Sequence, residues 1–253
     1  ADVNDVLTGL NRSTDTTSAA LVPNARGAIP ACEAGIDELI VFMSASESHN
    51  LKNVNRTVDE SLAGFDDVAK IAGDAGIPVH GVIATALGCP FEGDVPVEKL
   101  GYIAKHYREL GFIGLGLGDT TGMATPPVVQ KAVRYLQDTV PELPLGLHFH
   151  NTRGIGLVNV VVGLDEGVEK YDASFGGMGG CPFAPKATGN ICTEDLVYLM
   201  HELGIDTGID LTKLIGVAKE VERVMGRELP GQLMKAGPRL QLHSMADVAT
   251  ASG

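Results

Sequence analysis

The chain has 253 residues, of which 44% are apolar and 20% charged, a usage that supports a packed core and excludes a disordered chain. Its 19 Lys and Arg against 32 Asp and Glu leave a net charge of −13, which argues against a general nucleic-acid binder or a cationic membrane-surface protein. No apolar run approaches the roughly 18 residues of a membrane span, and Cys32, Cys89, Cys181 and Cys192 form no CxxC pair, a pattern that fits a reducing interior.

In chain order, the pattern predicts a helix over 3–10, a short strand over 19–22 and a helix over 27–34. A buried strand follows at 39–43, then an amphipathic helix over 58–73 with Val58, Leu62, Phe65, Val68 and Ala69 at helical spacing. The rhythm repeats with a strand over 79–84, a helix over 97–110 stopped by Gly111, a strand over 112–117 and a helix over 126–139 with Pro near its start. Next come a strand over 145–150, a helix over 156–167 and a strand over 171–175 that runs into Gly176-Gly177-Met178-Gly179-Gly180. Helices over 194–203 and 211–225 close the series, and the small polar tail from Ala246 is expected to be irregular. Strands alternating with helices predict a parallel sheet of about six βα units. An open doubly wound sheet and an eight-fold barrel both fit. Polar and glycine-rich residues gather just after the strands, at the end where barrel active sites lie.

Four stretches carry chemistry. His148-Phe149-His150 ends a strand, where residues i and i+2 share a face, so two imidazoles can hold one divalent cation; the alternative is two histidines making ordinary hydrogen bonds. Gly118-Asp119-Thr120-Thr121-Gly122 puts a carboxylate at the preceding strand's end, as a base, an acid or a ligand holder, or as a cap of the next turn. The run from Gly179 to Asn190 is a glycine loop that lets backbone approach a ligand, with Cys181 able to act as acid, base or nucleophile if its pKa is lowered. Asn190 offers an amide oxygen suited to a hard cation, and Glu194 begins a helix whose dipole favours its charge. Leu87 to Gly93 reads as a tight turn with Cys89 as a small buried hydrophobe.

Taken together, Gly-Cys-Pro-Phe-Glu-Gly (88–93), Gly-Asp-Thr-Thr-Gly (118–122), His-Phe-His-Asn-Thr (148–152), Gly-Gly-Cys-Pro-Phe-Ala-Pro (179–185), Thr-Gly-Asn (188–190) and Thr-Glu-Asp-Leu-Val-Tyr (193–198) stand in one order, after Ser46-Glu47 and Lys52-Asn53-Val54-Asn55. This set resembles the 3-hydroxy-3-methylglutaryl-CoA (HMG-CoA) lyase family, of the metal-dependent lyase and Claisen-synthase barrel superfamily, over about residues 1–225. The resemblance implies an α/β fold, a TIM (β/α)8 barrel represented by about six βα units plus C-terminal helices. It is read as one domain over 1–253, with 205–226 a helical extension.

The implied reaction is carbon–carbon cleavage of HMG-CoA, or of a related branched 3-hydroxyacyl-CoA, to acetyl-CoA and acetoacetate. One Mg²⁺ or Mn²⁺ would be held by His148, His150 and Asn190. Cys181 matches the family's reactive cysteine, Asp119 an aspartate implicated in acid/base work and Glu194 a glutamate beside the site; Asp119 or His148 would be the base. Asn53, Asn55, Arg153 and Lys186 are the expected substrate-binding residues. Expected partners are an acyl-CoA and further copies of the chain, as a dimer or tetramer, with no nucleic acid and no membrane. A prokaryotic protein of this kind would be cytoplasmic, and a mitochondrial address stays open.

Three departures stand out. The family's first strand, with an Arg-Asp pair, and its second, with a Glu, have no match here, so the chain is expected to represent part of an eight-unit barrel. Asn151-Thr152-Arg153 stands where the lyase has Asp-Thr-Tyr, and Lys186 replaces a small residue, which leaves the acyl group open. The alternatives are an isopropylmalate- or homocitrate-type Claisen synthase and a non-catalytic truncated barrel.

Overall fold

A computed structural model describes residues 3–9, 16–179 and 189–242. The chain divides into two compact units: Ala1–Asp172 with Gly180–Gly189, and Ala173–Gly179 with Asn190–Gly253.

The first unit begins with α1 (Val3–Gly9), β1 (Ala19–Val22), α2 (Ala25–Glu33), β2 (Glu38–Ser44), α3 (Glu47–Val54) and α4 (Val58–Ala75). It continues with β3 (Val79–Ala84), α5 (Val97–Glu109), β4 (Gly114–Asp119), α6 (Pro126–Thr139), β5 (Leu145–Phe149), α7 (Gly156–Asp165) and β6 (Lys170–Asp172). All strand pairings are parallel, and strand order follows chain order from β1 to β6. That order is the wall of a (β/α)8 barrel; an open doubly wound sheet would reverse its order at a switch point.

The β4 sequence Gly-Leu-Gly-Leu-Gly-Asp shows how the sheet is built. Pleating puts Leu115, Leu117 and Asp119 on one face and Gly114, Gly116 and Gly118 on the other. The leucine face continues through Leu39, Val41, Met43, Ile83, Leu147 and Phe149, all essentially buried, and packs on the helices. On the glycine face the β3 side chains lean across: a Cβ on Gly114 would lie 2.5 Å from His80 Nδ1, and one on Gly116 would lie 2.9 Å from Val82 Cγ2. Gly81 faces the helices and is filled instead by the Tyr107 ring. Tyr107 is fully buried between Phe65 and Phe112, and its hydroxyl donates to the Val82 carbonyl at 3.2 Å.

Local signals set the helix ends. Thr57 and Glu60 form a reciprocal capping box at the start of α4, and Gly76 closes it in the left-handed region at φ 67°. The structure adds α3, which periodicity does not predict, because Glu-Ser-His-Asn-Leu-Lys-Asn-Val has no apolar stripe. Ser46 caps it by accepting the His49 N–H at 3.1 Å. The strand expected over 112–117 begins at Gly114, where pairing to β3 starts, and runs on to Asp119.

Under α3 lies a buried polar cluster. Ser44 Oγ and His49 Nδ1 share a 2.7 Å hydrogen bond, Asn50 Oδ1 accepts the Ser44 N–H, and the Cys89 thiol donates to Ser46 Oγ at 2.9 Å. Cys89 is the buried turn residue expected, bridged to Gly93.

In the second unit, a 3-10 turn at Phe175–Gly177 precedes α8 (Thr193–Glu202), α9 (Leu211–Met225) and α10 (Leu233–Ala236). The strand expected over 171–175 therefore ends at Asp172 and gives way to this turn, in which Gly176 and Gly177 take φ 59° and 71°. Ala218, Leu229 and Met234 form the core of this unit, flanked by Met178, Ile215 and Val221.

Two outcomes follow from this packing. Gly81→Ala forces a methyl into the Tyr107 ring and should destabilise the protein by about 1–3 kcal/mol, read as a lower denaturant midpoint at constant slope. Burial lowers the His49 pKa from its ordinary 6.5. The unfolded chain therefore takes up a proton that the native one refuses, so stability falls as pH drops below about 6.5. His49→Gln should flatten that part of a stability–pH curve measured by urea unfolding.

Candidate active site

The carboxyl ends of β4, β5 and β6 carry Asp119, His148 and Asp172. His148 lies on β5 in register with Gly118 on one side and Asp172 on the other, and His150 follows two residues on, on the same face. The two rings stand 5.2 Å apart, centre to centre. His150 is only 6% exposed and its Nδ1 has no hydrogen-bond partner. Burial, then the neighbouring His148, holds its pKa down to about 4, so the ring is neutral at physiological pH with a lone pair to give. His148 Nδ1 lies 3.6 Å from Asp172 Oδ2. Asp172 went unseen in the sequence: only the β5–β6 register brings it to His148, and register leaves no local signal.

Asp119 is on the opposite face of the pleat from His148, since its register partner is Phe149. It is 1% exposed. Its Oδ1 accepts the Met123 and Ala124 N–H groups at 2.7 and 2.9 Å, so it does form the turn cap that its position allows. Its Oδ2 is buried without a partner. Burial pushes its pKa up to about 7, against the pull of the two N–H donors, the His148 ring and the Arg153 guanidinium. A carboxyl poised near neutrality, with one oxygen committed and the other free, suits proton transfer.

Arg153 is exposed, and its Nη1 donates to the Thr121 and Gly122 carbonyls at 3.1 and 2.6 Å. Asn53 lines a cavity with Asn24, Phe42, Arg56 and Phe65 beside α3. Asn55 is the left-handed cap of α3 at φ 54°. Both sit beyond β2, with β3 and β4 between them and the histidine strand.

Two candidates lie in the second unit. Asn190 Nδ2 donates to the Met178 carbonyl at 2.7 Å, which leaves Oδ1 buried and unpartnered. Glu194 is fully buried; its Oε2 accepts the Gly176 N–H at 3.1 Å, its Oε1 has no partner, and burial raises its pKa. Cys181 and Lys186 lie outside the described residues.

Two imidazoles on one face, one of them neutral with an unused buried nitrogen, fit the donor type a divalent cation takes, and in the second unit the Asn190 amide oxygen is a donor of the kind a hard cation takes. Among the described residues no group of three or more His, Cys, Asp or Glu gathers around one point.

A parallel strand–helix repeat in chain order, with paired histidines at a strand's carboxyl end, defines a barrel enzyme of the metallolyase type. The chain matches the HMGL-like family over residues 3–221. It is 43% identical over 231 residues to hydroxymethylglutaryl-CoA lyase YngG of Bacillus subtilis, covering 91% of this chain and 77% of that one. It is 42% identical over 219 residues to the (R)-citramalyl-CoA lyase of Chloroflexus aurantiacus, covering 87% and 69%. The solved structure of an HMG-CoA lyase from Acinetobacter baumannii, in complex with coenzyme A and 3-methylmalate, aligns with a TM-score of 0.91 at 44% identity, covering 96% of this chain and 80% of that one. The chain belongs to the HMGL-like family.

Replacing Asp119 separates its structural and chemical parts. Asp119→Ala strands the Met123 and Ala124 N–H groups and should cost about 1–3 kcal/mol, whereas Asp119→Asn keeps an acceptor and should hold the urea midpoint close to that of the parent.

Proposed function

We propose that this protein cleaves the C2–C3 bond of 3-hydroxy-3-methylglutaryl-CoA, giving acetyl-CoA and acetoacetate. The observation that carries the reading is the His148–His150 pair, with a neutral, unpartnered His150, in a chain 43% identical over 91% of its length to an HMG-CoA lyase. His148 and His150 hold one divalent cation, Mg²⁺ or Mn²⁺. The Thr-Gly-Asn motif assigns Asn190 to the same ion, a role its free Oδ1 supports. When bound, the cation acts as a Lewis acid toward the 3-hydroxyl oxygen.

The chain's own groups move the protons. Asp119, through its free Oδ2, takes the proton from the 3-hydroxyl; the hydroxyl oxygen becomes the ketone of acetoacetate as the C2–C3 bond breaks. The bonding pair passes to the thioester as an enolate. Cys181 gives the enolate carbon its proton, which completes acetyl-CoA. Cys181 is assigned by its Gly-Gly-Cys-Pro-Phe-Ala-Pro motif, and Glu194 stands beside this chemistry by its own motif.

A relative acting on (R)-citramalyl-CoA at 42% identity favours a second reading for the acyl group alone: the same cleavage on a different branched 3-hydroxyacyl-CoA. The test measures acetyl-CoA release from HMG-CoA and from citramalyl-CoA. Chelation should abolish release and added Mg²⁺ or Mn²⁺ restore it; no release from either thioester with any divalent ion would sink the reading. Cys181→Ser should lower turnover by about 10²–10⁴-fold and leave bound metal unchanged, whereas His150→Ala should lose the metal. Metal loss in the Cys181 variant would overturn its role.

A further inference from the structure

The turn from Asp119 to Ala124 is gripped by the segment that follows the histidines. Within the turn, the Gly122 N–H donates to the Asp119 carbonyl at 3.0 Å, and Met123 and Ala124 hold the Asp119 carboxylate. From outside, Arg153 Nη1 bridges the Thr121 and Gly122 carbonyls, and the buried Asn159 amide of α7 donates to the Ala124 carbonyl at 3.1 Å. Thr152 fills the space where a Gly122 side chain would stand, with its Cβ 2.6 Å from that position, and Gly122 itself needs φ 61°. The gripping segment is itself fixed: the Asn151 carbonyl accepts the Gly154 N–H at 2.9 Å, and its Oδ1 accepts the Gly156 N–H at the start of α7.

We infer that Arg153 is a positioning residue for the lyase reaction: it clasps the Thr121–Gly122 carbonyls and so fixes the Asp119 carboxylate relative to the His148–His150 strand. This deepens the function proposed above and rests on it. Arg153 comes three residues after His150, so one end of the clasp is tied to the histidine strand and the other to the turn that holds the proposed base. The two hydrogens on Nη1 lie in one plane, which lets one nitrogen serve two adjacent carbonyls in a fixed geometry. A lysine keeps the charge and loses the fixed plane. The clasp commits both hydrogens of Nη1 to the turn that carries Asp119.

The test uses the full chain with its divalent ion and HMG-CoA. Arg153→Met and Arg153→Lys are made alone and with Asp119→Asn. Misplacing a reacting group by about 1 Å can cost about 100-fold, so Arg153→Met should lower kcat by about 10- to 100-fold. KM should stay within about twofold, and Arg153→Lys should recover part of the loss. In the Asp119→Asn background the same change should cost nothing further, because its route to the chemistry is already gone. A raised KM with unchanged kcat would make Arg153 a substrate ligand and overturn the proposal, as would a full additive loss in the double variant.

Hydrogen exchange at the Met123 and Ala124 amides, read without substrate, gives an arm independent of activity. Exchange should quicken in Arg153→Met; unchanged exchange overturns the clasp. A parent protein that cleaves neither thioester defeats the lyase reading, and exchange still decides the clasp.

Discussion

Parallel pairing between β4 and β5 sets Gly118 beside His148 and Asp119 beside Phe149, and the arrangement of the site follows from that register. Side chains alternate across a pleat, so a slip of one residue would send both histidines into the helix layer and bring Leu147 and Phe149 out of it. The helix layer prevents the slip. Leu115, Leu117, Leu147 and Phe149 are nearly or fully buried there, each removing apolar area at about 25 cal/mol per Å². The imidazoles owe their place to leucines on the opposite face of the sheet. Asp119, on the leucine face, is the last residue of its strand, and its carboxylate turns into the loop beyond to accept the Met123 and Ala124 N–H groups.

Each unit leaves buried polar atoms without partners. Asp119 Oδ2 and His150 Nδ1 are buried and unpaired in the first unit, as are Asn190 Oδ1 and Glu194 Oε1 in the second. An unmet buried polar group typically costs about 1–3 kcal/mol. Asn50, by contrast, is buried with its amide spent on Arg56, Thr57, Ser61 and Ser44. One asparagine knits a helix start together; the other keeps an oxygen in reserve. The residue type is the same, and what differs is whether the neighbouring backbone uses the side-chain oxygen.

Much of the framework is legible in the sequence because it rests on local rules. The apolar runs, Gly111 and Pro126 place most strands and helices to within a few residues. His148 and His150 are legible because a period of two needs no tertiary knowledge. Helix α3 is hidden by its polar composition, and its evidence is a single Ser46 cap. Asp172 is hidden because strand register is a property of the pair. Arg153 is visible as a departure from the family, but charge alone suggests a ligand for an anion. Its contact with two backbone carbonyls depends on how two loops meet, which spacing does not encode.

The glycines of β4 have a consequence for how such a site diversifies. On the histidine face, this strand offers no side chain at Gly114, Gly116 or Gly118, and the volume there is taken up by residues of its neighbour, His80 and Val82. The contour of that face is thus written on one strand while the strand between it and the histidines stays blank. Exchanges at Val82 can reshape the space without disturbing the helix-packed leucines, because the two faces share backbone and no side-chain atoms. A fold built this way can vary that contour one residue at a time, with the histidine pair left untouched.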